Sequence, residues 1–180
     1  MMYADGKEGK LKDGSRVLLR PMVAEDRQRL VSFFQSIPEE ERNYLRHDVT
    51  DPEIIRSWTE RIDYTRVFPL LALAGDRIVG DATLHRIPYG WKRHIGTVRM
   101  VVAAEYQSRG LGTLLLNEIV GLAGEFGLEK LWAELPLMAT AALAVFSKAG
   151  FSSKAVIEGL AKDLHGRNTD MVIMVCDVGA

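Results

Sequence analysis

Between an apolar run at residues 98–102 and an amphipathic segment that starts at residue 111 lies the stretch Gln107-Ser108-Arg109-Gly110-Leu111-Gly112-Thr113. Glycines at this spacing let the backbone come close to a ligand. A helix opening directly behind them leaves its first N–H groups without internal acceptors. Those groups, at the positive end of the helix macrodipole, suit a pyrophosphate, and the Arg109 side chain can lie beside the phosphates. The dinucleotide-binding fingerprint is excluded, because it needs a third glycine where position 115 is Leu, and a parallel setting where the preceding strands read as antiparallel. Taken alone, the same residues are also explained by a plain glycine turn that opens a helix.

Groups able to move a proton are few. Glu134 lies in the apolar run 131–135 and alternates with Trp132, so both side chains share one face of a strand. A carboxylate facing a cleft there can accept a proton directly or through a water; otherwise it is a solvated strand-end residue. His94, with an ordinary pKa near 6.5, can accept a proton at neutral pH. It follows the aromatic and basic loop 89–93, and its alternative role is that of a surface turn residue. Arg99 interrupts the apolar run 98–102, and so either faces a cleft or pairs with an acid such as Asp81 on the adjacent strand. His47, His85 and His165 are not at ligand spacing with other metal-binding side chains, so no metal site is expected.

The elements that must position these groups follow from periodicity and turn residues. Residues 16–20 (RVLLR) read as a strand stopped by Pro21, and 24–36 as a helix with Leu30, Val31, Phe33 and Phe34 on one side. Residues 38–45 suit a short helix, and Asp51-Pro52-Glu53 caps another that runs toward Arg61. Three antiparallel strands are expected at 68–74, 77–85 and 95–104, the first two joined across Gly75-Asp76. The apolar stripe from Leu111 to Phe126 is helical, 131–135 is a strand, 138–148 an alanine-rich helix, and 151–161 and 169–177 are strands. Helices interleaved with a mixed sheet give an α/β layered domain. Residues 1–14 are expected to be a flexible segment and 15–180 a single domain.

Composition narrows the class of function. With 23 basic against 24 acidic residues and a net charge of -1, no global field favours nucleic acid or an anionic membrane. No apolar run approaches the roughly 20 residues a bilayer requires. The single cysteine, Cys176, sits in an apolar run and reads as a core thiol in a reducing compartment, so the expected location is cytoplasmic.

The stretch 107–112 resembles the Gln/Arg-x-x-Gly-x-Gly/Ala motif of the GCN5-related N-acetyltransferase (GNAT) family. The segment 131–151, ending Phe146-Ser147-Lys148-Ala149-Gly150-Phe151, resembles that family's next motif, and SRVLLRPMVAED at 15–26 its opening strand and helix. The pattern Arg42-Asn43-Tyr44-Leu45-Arg46 is similar to the acetyltransferase domains of some bacterial protein lysine acetyltransferases. The resemblance implies a mostly antiparallel mixed sheet splayed between its fourth and fifth strands, counted from the strand at 16–20. It implies acetyl-CoA as co-substrate, held by Gln107, Ser108, Arg109, Gly110, Leu111, Gly112 and Thr113, with the pantetheine arm pairing against Met100, Val101 and Val102. A backbone N–H near Val102 would then stabilise the oxyanion while a primary amine, of a small molecule or a protein lysine, attacks directly. The family's usual tyrosine acid falls on Phe146, its asparagine on Ala139, and its strand glutamate on Gly96 and Thr97. Glu134 and His94 are the substitutes for catalysis. The alternative is an acyl-CoA-binding sensor or regulatory module with weak or no turnover. Exposed edge strands suggest a homodimer.

Overall fold

The computed structural model describes residues 6–179. In chain order the elements are β1 (Lys7–Lys10), β2 (Arg16–Pro21), α1 (Arg27–Ser36), α2 (Glu39–Arg42), α3 (Pro52–Glu60), β3 (Val67–Ala74), β4 (Arg77–Arg86), β5 (Ile95–Val102), α4 (Leu111–Glu125), β6 (Lys130–Pro136), α5 (Thr140–Lys148), β7 (Ser152–Lys162) and β8 (Asn168–Asp177). The strands form one sheet in the order β1-β2-β3-β4-β5-β6-β8-β7. Every neighbouring pair is antiparallel except β5 and β6.

One expectation is corrected here. The segment 1–14 was expected to be flexible, yet residues 7–10 pair antiparallel with β2, Gly9 opposite Val17. The polar sequence KEGK carries no alternation to announce a strand; its backbone groups are satisfied by the edge that β2 offers. Residues 1–5 of that segment lie outside the described residues.

Helix α4 follows the stripe read from the sequence, burying Leu111, Leu115, Leu116, Ile119, Leu122 and Ala123. Gly80 on β4 admits it: a Cβ there would stand 2.9 Å from a Leu115 methyl. Helix α3 begins as its sequence requires, with Asp51 accepting from the Glu53 N–H at 2.9 Å and Pro52 at the first position. It packs on α1, which lies against β4.

The sheet divides where β5 meets β6. Their pairing runs only through Ile95, Gly96 and Thr97, opposite Lys130, Leu131 and Trp132. Beyond that, β5 stays with β4 as far as Val102 opposite Gly80, while β6 stays with β8 as far as Pro136 opposite Met171. Two strands held by different partners diverge and leave a V-shaped opening.

Candidate active site

Strand alternation decides which backbone groups face that opening. Ala103 N–H donates to Val79 O at 3.0 Å, toward β4. Groups of alternate residues point the same way, so the amides of Val101 and Arg99 also face β4, and those of Met100 and Val102 face the edge that β6 has left. Val102 O on that edge accepts from Gln107 Nε2 at 3.3 Å.

At the wide end of the opening the chain turns into α4. Gly110 is the residue before the helix, with φ +90°, a conformation that L side chains avoid. A Cβ on Gly110 would meet the Lys12 stem at 3.2 Å, and one on Gly112 would meet Met100 and Val145 at 3.1 Å. The first helical acceptor found by a backbone donor is Gly110 O, bonded by Leu114 N–H at 3.0 Å. The amides of Leu111, Gly112 and Thr113 precede it and have no intrahelical acceptor.

Arg109 departs from the expected placement beside phosphates. Its Nε donates to Asp13 Oδ2 at 2.6 Å, its Nη2 to Ser15 Oγ at 3.1 Å and its Nη1 to Glu105 O at 3.2 Å. The guanidinium also lies over the Tyr106 ring, 4.5 Å from its centre. Asp13 accepts from Ser15 Oγ and N–H as well, and these bonds with Arg109 hold its carboxyl down to about 2. Arg109 therefore clamps the β1–β2 turn onto the glycine turn. Lys12, whose N–H donates to Arg109 O at 3.0 Å, is the basic side chain that this turn lays across Gly110.

A strap crosses the opening from one lip to the other. Gln107 Nε2 donates to Glu41 at 3.0 Å, Tyr44 OH to Met138 Sδ at 3.0 Å, and Arg46 Nη2 to Glu134 Oε2 at 3.3 Å. Arg42 Nε and Asn43 Oδ1 in this strap are buried and have no hydrogen-bond partner among the described residues.

Beside the strap, between α1, α3 and the sheet, is a cavity of about 340 Å³. Phe34, Trp58 and Pro69 are among its apolar lining; Asp81, Thr83, His85 and Arg99 are among its polar lining. Register explains why these four meet: Asp81 is opposite Val101, Thr83 opposite Arg99, and His85 opposite Thr97, so one face of β4 and β5 is polar where the other packs on α4. Burial pushes the Asp81 carboxyl up to about 7 against the Thr83 hydrogen bond, at 3.2 Å, that favours its charged form. Burial, with Arg99, Arg46 and His47 nearby, pushes His85 down to about 4.

Sequence reasoning proposed two proton acceptors, and they lie apart. Glu134 is exposed on the cleft side, its carboxylate accepting from Trp132 Nε1 at 3.0 Å and from Arg46. His94 precedes β5 at the closed end of the V, where its carbonyl accepts from Glu129 N–H at 2.9 Å. It is roughly 23 Å from Val101 along an extended strand, and it does not line the cavity. Arg99 faces the cavity and forms no ion pair with Asp81. Phe146 is 3 % exposed, its ring edge-on to Phe151 at 5.0 Å. Asp81 and His85 were missed as site residues; their signal was the alternation Asp81, Thr83, His85 along β4, polar on one face of an otherwise apolar strand.

The model of the acetyltransferase (GNAT) family matches residues 27–151. The chain belongs to that family. It is thus an acetyltransferase, an acyltransferase of a family whose co-substrate is acetyl-CoA. Solved structures share the fold of this acetyltransferase. The GNAT domain of S. lividans PAT is 24% identical, with a TM-score of 0.79 and 96% of each chain covered. A GNAT-family acetyltransferase from Streptococcus pneumoniae is 24% identical at a TM-score of 0.78, covering 91% of this chain and 99% of its own. The ribosomal-protein-alanine N-acetyltransferase from Brucella melitensis is 22% identical at 0.78, covering 89% and 99%. Among the described residues of the acetyltransferase, no helix is long and apolar enough to cross a membrane, and no group of three potential metal ligands occurs.

Proposed function

We propose that this acetyltransferase moves an acetyl group from acetyl-CoA to a primary amine by direct attack, the amine belonging to a small molecule or a protein lysine. The observation that carries this is the free edge of β5, with the Met100 and Val102 amides facing an opening that ends at the glycine turn. The residues present fit the co-substrate. The amides of Leu111, Gly112 and Thr113, with those of Ser108, Arg109 and Gly110 in the turn, suit the pyrophosphate, and Lys12 adds a cation. Met100, Val101 and Val102 suit the pantetheine arm, in the manner of an added strand. The orphaned Arg42 Nε and Asn43 Oδ1 in the strap supply further polar groups that a bound molecule would satisfy.

When bound there, acetyl-CoA supplies the acetyl group as a thioester. The Val102 N–H, facing the open edge, is the donor to the carbonyl oxygen as negative charge develops on it. Asp81, in the cavity wall opposite Val101, takes the proton that the amine must lose, through a water where needed. The N–C bond forms, the C–S bond breaks, and the proton count closes when the departing thiolate is protonated from solvent. Glu134 is the competing acceptor; Trp132 and Arg46 each already donate to one of its oxygens, so it serves as a holder of Arg46.

The reducing-compartment reading of Cys176, buried in β8, supports a cytoplasmic location. Homodimer formation is supported by β7, an outer strand exposed along nearly its whole length, with Val156, Ile157 and Leu160 each more than 40% exposed. The test of the activity is stabilisation against heat by CoA, followed by thiol release from acetyl-CoA over a panel of amines and lysine peptides. Stabilisation without release from any amine returns the chain to the acyl-CoA-binding module, a reading that the buried ring of Phe146 in the tyrosine position favours.

A further inference from the structure

Arg99 presents an unusual balance. Its guanidinium is half-buried in the cavity wall, and among the described residues it makes no hydrogen bond and no ion pair. Asp81 and Thr83, its neighbours across the strand pair, bond to each other instead. Arg46 opposes its charge; Glu134 favours it but is bonded to Arg46 and Trp132. Burial and Arg46 together lower its pKa. A guanidinium carries five N–H donors in a planar fork and stays charged, so a half-buried one with no protein acceptor keeps that fork open to whatever enters the cavity.

The rest of the cavity indicates what would restore that balance. Arg46, Arg61 and Arg66 line it with Arg99, against Asp63 and Asp81 as the lining acids. Asp63 is engaged by Thr65 N–H at 3.0 Å and Thr65 Oγ1 at 2.6 Å. A polycationic acceptor would enter against four guanidinium groups, whereas a carboxylate would be drawn in and would find a bidentate partner. The apolar wall around Phe34 and Trp58, and the volume of about 340 Å³, suit a small molecule with an apolar portion. Asp81 and Arg99, two positions apart across the β4–β5 pair, put a proton acceptor and an anion receptor on the same wall.

We infer that Arg99 is the carboxylate receptor of the acceptor site, and that the preferred acceptor is a small amine bearing a carboxylate, of the amino-acid class. This deepens the function proposed above and rests on it. The receptor is a positioning group: it holds the acceptor by its carboxylate so that the amine stands near Asp81 and the Val102 amide. A carboxylate could equally belong to the acyl group of a dicarboxylic acyl-CoA, and the experiment separates the two.

The free proteinogenic amino acids, each paired with its amide, are assayed for thiol release with acetyl-CoA, using the wild type, Arg99→Met and Arg99→Lys. The amine of an amide is less basic, so intrinsic reactivity at neutral pH biases against the free acids. The expected result is that the best acid exceeds its amide in kcat/KM by at least about tenfold. In Arg99→Met that ratio falls to near one, mainly through the KM of the acid, with CoA affinity kept; Arg99→Lys recovers part of it. Equal loss for acid and amide, or a preference for amides, overturns the assignment. So does a collapse of preference for succinyl-CoA over acetyl-CoA in Arg99→Met while the acid-to-amide ratio stands. Should no amine be turned over, the proposed function fails, and the receptor is read from thermal stabilisation by N-acetyl amino acids and their amides. Stabilisation by the acids alone, lost in Arg99→Met, sustains it; no difference between acid and amide overturns it.

Discussion

Asp81 of β4 and Val101 of β5 are direct cross-strand partners, and both line the cavity that opens beside the splayed edge of β5. The pairing sets a carboxyl whose pKa burial pushes up to about 7 one strand away from the backbone proposed to hold the thioester.

A base of that pKa predicts a rate that rises as pH passes through about 7. Asp81→Asn is expected to lower kcat by at least about tenfold and to remove that limb from the pH–rate profile. Its effect on stability has the opposite sign. Between the ordinary carboxylate range and 7 the folded chain holds a proton that the unfolded chain releases, so this carboxyl costs stability progressively as pH rises through that window. Asp81→Asn should therefore melt at a higher temperature than wild type, with the gain larger at pH 8 than at pH 5. An unchanged difference between those two pH values removes the buried-carboxyl account.

Glu134→Gln breaks the contact with Arg46 but leaves Asp81 in place. The expected loss in kcat is smaller than that of Asp81→Asn, and His94→Ala is expected to change kcat little, since His94 is far down the strand. Should Glu134→Gln be the more damaging, the two acids exchange roles.

In the glycine turn, Gly110→Glu places a side chain at φ +90° against the Lys12 stem. It should cost about 1 to 3 kcal/mol of stability and abolish CoA binding in a calorimetric titration by putting a carboxylate in phosphate space. Lys12→Ala is expected to weaken CoA several-fold while leaving the melting temperature near that of wild type. Arg109→Ala should do the reverse, because its guanidinium is spent on Asp13, Ser15 and Glu105.

The pair Arg20–Asp26 fastens β2 to the start of α1, with Nη1 and Nη2 of Arg20 each donating to the carboxylate at 2.6 Å and Asp26 0% exposed. Asp26→Ala strands the Arg20 charge and leaves the Val23 N–H without its acceptor. A loss of roughly 3 to 5 kcal/mol is expected in urea unfolding.

At the outer edge of the sheet, Val156→Asp with Leu160→Asp is expected to convert a homodimer to a monomer in sedimentation, with CoA affinity unchanged. Identical sedimentation of wild type and variant removes β7 as the interface.

Local patterns in the sequence determined most of the elements. The stripe from Leu111 to Phe126 could only be a helix with one buried face, Asp51-Pro52-Glu53 could cap one, and Gly75-Asp76 joined two strands, because helix period, capping and turn chemistry are properties of a few adjacent residues. The glycine turn was legible for the same reason: φ +90° before a helix demands Gly110. What tertiary structure decided is where separate elements come together. Strand β1 exists only because β2 offers it an edge. Arg109 is turned from a ligand toward Asp13, a residue 96 positions away. His94 and Glu134 read as equal candidates in the chain, yet register and the divergence of β5 from β6 put one at the closed end of the V and the other at its cleft. The meeting of Asp81, His85 and Arg99 in one cavity follows from the β4–β5 register together with the packing of α1 and α3 over it. A carboxyl's pKa and a guanidinium's lack of a partner are fixed by neighbours distant in sequence, so neither could be read from the residues beside them.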